Sequence, residues 1–443
     1  MKRSYAMIAL ATGMLALGAS SQTRPSSRRS KKAAPPSTPK APAKKTAKKA
    51  KTRPLAIQGG TFHIGDGKVV RDATLLVEDG KIKAFGFHLD LPKGCKILDA
   101  KDKHISPGFI MVQAPALGLR GRPSKDFQDY YNPFDQTIRR AIAVGITSYL
   151  YMPARGGTLP SGNSAVLRLI PRELDEILVK AGTLKSMSVP SSPSAWKKLR
   201  EALEKTRKYQ KEKAAYEAKK VAGDTKVKAP KADKASLALL PILEGKAKLL
   251  ISGARTVSQI REALRLAKLL GKGIVLNGPV EAWIIPDEIA ATHSSCILQP
   301  RVHVEPDPTR IEENGSNIQG PYILAKAGVP LTVTPPPGRF GGNGMGLGGL
   351  LGRDLNTPFM DACFAVRGGM DNEKALSTIT LQAAKILGVD DRIGSLEVGK
   401  DADILILDGD PLSYKSFVET AIVLGKIRYE KEKEPFYKGL KNH

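Results

Sequence analysis

Apolar and polar positions change rhythm along this chain, and the changes mark its elements. From Leu55, AIQGGTFHIGDGKVVRDATLLVEDGKIKAFG carries short apolar runs broken by Gly-Gly, Gly-Asp-Gly and Asp-Gly. That pattern predicts several short strands joined by tight turns. Asp79-Gly80, between Leu75-Leu76-Val77 and Ile82, marks a hairpin, because its residues accept the positive φ of a two-residue turn. A further strand ends near Leu98-Asp99-Ala100. His63, His88 and His104 fall in this β region as isolated residues, expected to be structural or solvated. The stretch that organises the rest is SPGFIMVQAPA, Ser106 to Ala116. Its run from Phe109 to Val112 follows Pro-Gly, read as a turn, and ends against Pro115, as a fully buried strand of a parallel sheet does.

Beyond it, strand-like and helix-like segments alternate. Ile138 to Val144 predicts a helix, Gly145 to Leu150 and Ala165 to Leu169 strands. Ser194 to Ala222 predicts a long Lys/Glu helix whose apolar stripe (Trp196, Leu199, Leu203) fades after two turns, leaving a solvated projection. A basic loop, Gly223 to Lys234, follows it. Then come a strand at Lys248 to Ile251, a helix at Thr256 to Leu270, a strand at Gly273 to Leu276 and a helix at Glu281 to Thr292. Leu298 to Val304, Tyr322 to Ala327 and Leu331 to Thr334 continue the series. Such alternation argues a parallel sheet wrapped by helices, the α/β class.

The two chain ends and the charge complete the picture. Met1 to Gln22 has a positive start (Lys2, Arg3), an apolar segment from Ala6 to Leu17 and small residues after it, the layout of a secretory signal peptide. Thr23 to Arg53 is Lys, Ala, Pro and Ser, too polar to form a core, and is expected to be a disordered, solvated spacer, the alternative being an electrostatic tether to an anionic envelope surface or polyanion. Net charge is +27, yet Arg24 to Arg53 alone holds twelve basic residues and no acid, and Trp196 to Lys248 holds sixteen against seven. The folded body is therefore close to neutral, and no specific nucleic-acid interface is indicated. Three widely spaced cysteines (Cys95, Cys296, Cys363) show no metal-ligand spacing and read as small buried hydrophobes.

Near the C-terminus, ALSTITLQAAKILGVDDRIGSLEVGKDADILILDGDPL resembles the closing segment of the amidohydrolase superfamily, nearest to its imidazolonepropionase-like periplasmic members. The strands from Leu55, SPGF, GITSYLY, GNSAVLRL and LKSMSV resemble earlier landmarks of that family, so the likeness spans about Leu55 to Tyr429. It implies a (β/α)8 TIM-like barrel with a flanking β-sandwich formed by N- and C-terminal segments. The organisation expected is residues 1–22 signal peptide, 23–53 linker, 54–105 first part of the sandwich, 106–388 barrel with a basic helical insert at 194–236, and 389–430 second part.

The resemblance also implies metal ligands at strand ends: His-x-His on the first strand, single histidines on two middle strands and an Asp on the last. Here those positions fall on Gln113 and Pro115, on Ser252-Gly253, on Asn277-Gly278 and on Thr334. Amides, a hydroxyl and a proline suit a divalent metal poorly. Two readings follow. In the first, the protein is an exported, non-catalytic binding or assembly module with no cofactor. Its pocket is lined by Gln113, Arg155, Asn163, Arg255 and Asn277, and it takes a small polar or anionic ligand or pairs with an amidohydrolase homologue. In the second, the protein hydrolyses a non-peptide C–N bond, either with metal-free acid–base groups or with one divalent metal such as zinc held by His303, Glu305 and Asp307 on one face of a strand. A third class, an envelope adhesin, would act through the linker alone. The GxGxxG from Gly344 to Gly349 lacks strand and helix context and reads as a loop over the barrel mouth.

Overall fold

Short apolar runs from Leu55 do become short strands in the computed structural model, which describes residues 53–113, 117–120, 127–152, 157, 159–162, 164–224, 227–336 and 358–434. The signal segment, residues 23–52 of the linker, Pro115, Arg155, Asn163 and the Gly-rich segment 341–352 lie outside the described residues. Strands β1 (Leu55–Gln58), β2 (Thr61–His63), β3 (Val69–Arg71), β4 (Thr74–Glu78), β5 (Lys81–Gly86), β6 (Lys96–Asp99) and β7 (His104–Pro107) make up the N-terminal module. The Asp79-Gly80 turn has positive φ at both residues and joins β4 to β5 in an antiparallel pair.

β8 (Phe109–Met111), β9 (Ile146–Tyr151), β10 (Ala165–Arg168) and β11 (Leu178–Ala181) form one sheet, in the order β11-β10-β9-β8. β12 (Leu184–Met187), β13 (Lys248–Ser252), β14 (Val275–Asn277), β15 (Ser295–Leu298) and β16 (Leu331–Val333) form a second, entirely parallel one. The helices are α1 (Phe127–Tyr130), α2 (Gln136–Ala143), α3 (Pro193–Val221), α4 (Lys234–Leu243), α5 (Val257–Leu270), α6 (Pro286–Ala291), α7 (Gly320–Lys326), α8 (Pro358–Arg367), α9 (Asn372–Thr378) and α10 (Leu381–Leu387). Finally β17 (Ile404–Leu407), β18 (Val418–Val423) and β19 (Lys426–Glu430) return beside the N-terminal strands in a six-stranded sheet, β19-β18-β17-β7-β2-β3. A cluster including Ile57, Leu75, Ile105, Ile404 and Ile422 is buried between that sheet and β5-β4-β1-β6.

The expected eight-stranded closed barrel is seen only in part: among the described residues seven strands (β8, β9, β12 to β16) carry it. Two seams separate the sheets. At one, the Ile110 N–H donates to the Ile379 carbonyl at 2.8 Å, so the turn between α9 and α10 stands in for a strand. At the other, Ser161 and Ser186 form an isolated bridge. Helix α5 shows why the local pattern worked: Thr256 and Gln259 form a capping box, and Gly271 in the left-handed region ends it.

Four expectations need correction. Pro107-Gly108 is no turn but a strand-to-strand passage, with β7 and β8 on either side. The strand expected at Leu298 to Val304 runs from Ser295 to Leu298, because only those residues find partners on β14 and β16. The helix expected at Glu281 to Thr292 is interrupted at Ile285, whose φ of −127° and ψ of 47° follow from the proline after it. The insert also continues past its loop into α4, which packs on α3.

His63 and His104 are not isolated. His63 is buried, its Nδ1 lies 2.8 Å from Glu373 Oε1, and its Nε2 lies 2.8 Å from His104 Nδ1. A carboxylate only accepts, so His63 donates from Nδ1 to Glu373, and one ring N–H is shared between His63 Nε2 and His104 Nδ1. Burial and the neighbouring His63 hold His104 below the usual histidine range, despite nearby Asp410 and Glu373. This chain of groups ties β2 and β7 to α9. The cysteines are free, with Cys296 buried and Cys95 and Cys363 half-buried.

Candidate functional site

Parallel strands deliver their C-terminal ends to one face, and there four neutral side chains meet. Gln113, two residues past β8, donates from Nε2 to Asn277 Oδ1 at the end of β14. Gln299, just past β15, donates from Nε2 to Gln113 Oε1 at 3.2 Å. Asn277 donates from Nδ2 to Ser252 Oγ, at the end of β13, at 3.3 Å. The three amides are half-buried and Ser252 is exposed. Two of the three amide oxygens are thus engaged already, Gln113 Oε1 by Gln299 and Asn277 Oδ1 by Gln113. Thr334, at the end of β16, is fully buried, and its hydroxyl has no hydrogen-bond partner among the described residues.

Of the residues expected in the pocket, the structure joins Gln113 and Asn277. Arg255 is not part of that group: it is exposed on the β13–α5 loop, where its backbone N–H donates to Gln259 Oε1 at 2.9 Å. His303, Glu305 and Asp307 do not converge on one strand face, since that segment lies beyond the end of β15. His303 Nε2 pairs with Glu305 Oε1 at 2.8 Å with both side chains largely exposed (71% and 82%). Asp307 instead accepts from the Thr309 N–H and hydroxyl, which hold its carboxyl below the usual range. Among the described residues no three His, Cys, Asp or Glu side chains gather as a metal site would require.

Gln299 was missed because the strand seemed to continue to Val304, which put Gln299 inside it. The apolar run Ser295 to Leu298 stopping at Gln299-Pro300 was the available signal. Close by, Arg301 forks onto Asp361 of α8, with Nε to Oδ1 at 3.2 Å and Nη2 to Oδ2 at 3.0 Å. Glu281, after β14, is buried, and it accepts from the N–H groups of Val257 and Gly315 and from Arg310. Burial raises its carboxyl, but these donors outweigh that and hold it low, so it stays a charged anchor for the loops at this face.

Asp361 behaves in the opposite way. Burial outweighs Arg301 and pushes its carboxyl up to about 6. The folded chain therefore holds that proton more tightly than the unfolded one, and stability from this group is present at low pH and lost as pH rises through 6. Between about pH 4 and pH 7 the wild type is expected to lose about 2–3 kcal/mol relative to Asp361→Asn. Urea unfolding of both proteins at stepped pH checks this, and parallel profiles would remove the assignment.

The sequence of this face can now be set beside known proteins. A family model described as the amidohydrolase family matches residues 350–437. An imidazolonepropionase of Syntrophobacter fumaroxidans is 44% identical over 54 residues, 12% of this chain and 13% of that protein. Another, of Symbiobacterium thermophilum, is 24% identical over 176 residues, 35% of this chain and 38% of that protein. An amidohydrolase of Thermotoga maritima of known structure is 23% identical, covers 85% of this chain and 100% of its own, and superposes with a TM-score of 0.65. This chain belongs to the amidohydrolase superfamily. The structural likeness, at that identity, speaks for the α/β TIM-barrel-like fold alone. The matched curated relatives are each spanned over less than two fifths of their length.

Proposed function

We propose that this superfamily member is a non-catalytic binding module, exported through residues 1–22 and spaced from the envelope by residues 23–53. The observation that supports this reading is the amide group at the strand ends. A divalent cation is held by several imidazole, carboxylate or thiolate donors. Gln113, Asn277 and Gln299 are neutral, and two of their carbonyl oxygens are occupied by amide N–H donors. These residues do not fit the superfamily's metal. What they offer instead is a fixed set of amide donors and acceptors. Half-buried amides of that kind recognise a polar ligand by direct hydrogen bonds.

The relatives called imidazolonepropionase favour the competing reading, a hydrolase of C–N bonds using a metal held elsewhere. Elemental analysis separates the two. The chain purified from the envelope fraction, without chelator or added metal, is expected to carry no stoichiometric zinc, manganese or iron. One metal ion per chain would overturn the binding-module reading. Recovery from the cytoplasm alone would remove the export part of it.

A further inference from the structure

Between the first turns of α3 and α5, beside the ends of β12 and β13, lies a cavity of about 610 Å³. That size suits a small-molecule ligand. Trp196 and Arg200 of α3, Glu262 and Arg265 of α5, and Ser188 and Ser252 at the strand ends are among its lining residues. The insert thus supplies one wall, anchored from within by buried Trp196, Leu199 and Leu203.

The charges in this cavity are unbalanced. Arg265 lies over the Trp196 ring, 4.8 Å from its centroid, which orients the guanidinium without neutralising it. Its contact with Glu262 is 3.7 Å long and about half exposed on both sides, so it is weak. Arg200 has no ion-pair partner among the described residues. Two guanidiniums therefore face one carboxylate, with serine hydroxyls around them as further donors.

We infer that this cavity binds a small molecule through a carboxylate or phosphate group. The planar guanidinium fork matches such oxyanions with two parallel hydrogen bonds, and the Ser252 hydroxyl can donate to a remaining oxygen. Ser252 also accepts from Asn277, so the cavity borders the amide group. The inference rests on the binding-module reading, but metal analysis decides that reading and anion titration decides this one.

The test titrates inorganic phosphate, and separately succinate, into the full chain, followed by calorimetry and by tryptophan fluorescence. Three proteins are compared: wild type, Arg200→Gln/Arg265→Gln, and Lys219→Gln/Lys220→Gln, which removes equal charge from the far end of α3. At least one probe is expected to saturate in the wild type and the lysine variant, and to bind about tenfold or more weakly in the arginine variant. Equal affinity in all three, equal loss in both variants, or no saturable binding of either probe to the wild type would overturn the proposal. Preference for phosphate or for succinate tells which oxyanion the cavity is shaped for.

Discussion

Replacing Arg168 by methionine is expected to destabilise the protein by about 3–5 kcal/mol, the usual cost of removing one partner from a buried ion pair. Arg168 ends β10 and is fully buried. Its Nε donates to Asp403 Oδ2 at 2.9 Å and its Nη2 to Asp401 Oδ2. Burial alone would lower its pKa, yet the charges and hydrogen bonds of Asp403 and Asp401 raise it instead. Without the guanidinium, Asp401 keeps Arg392 at 2.7 Å, but among the described residues Asp403 keeps only the Leu424 N–H at 2.9 Å. A buried carboxylate with one donor is the source of the loss. Removing that charge as well, in Arg168→Met/Asp403→Asn, is therefore expected to recover part of the stability. Denaturant midpoints of the three proteins decide the matter. A single variant within 1 kcal/mol of wild type, about the worth of a solvent-exposed pair, would show that the triad is not tight.

Gly108→Ala is the second large effect, about 3 kcal/mol of lost stability through overpacking. Glycine is needed here for close approach. A Cβ at Gly108 would stand 2.0 Å from Thr147 Oγ1, 2.4 Å from its Cγ2 and 2.7 Å from its Cβ. Thr147 is buried inside β9 and cannot swing away. The passage is held on both sides, by the Gly108 N–H on the Asp403 carbonyl at 2.9 Å and the Phe109 N–H on the Gly145 carbonyl at 2.8 Å. Adding Thr147→Ala clears the two nearest atoms but leaves the Cβ, so partial and not full recovery is expected. Unfolding curves read both steps, and a Gly108→Ala protein as stable as wild type would mean that β7 and β8 shift apart at little cost.

Both cases bear on what could be read in advance. The segment GSLEVGKDADILIL was legible as a family landmark, and Gly394 and Gly399 were legible as turns; both have positive φ. That Asp401 and Asp403 clamp an arginine more than 230 positions earlier was not, because ion pairing across such a separation leaves no local pattern. Gln113 and Asn277 were legible as strand-end residues, since each closes an apolar run. Their hydrogen bond, and the place of Gln299 and Ser252 beside them, needed the register of four strands.

By itself, the sequence determined the elements and their kind: hydrophobic period, capping residues and Asp-Gly or Gly turns act over a few residues and survive any arrangement of the whole. It also determined that Gln113, Asn277 and Thr334, which close apolar runs, are neutral residues. Only the tertiary structure decided which groups meet. The seam filled by the α9–α10 turn, the His63–His104–Glu373 chain, the Arg168 clamp and the cavity under α3 all join distant segments. Their existence depends on how the elements pack, and packing is set by the sum of contacts over the whole core and not by any one stretch of chain.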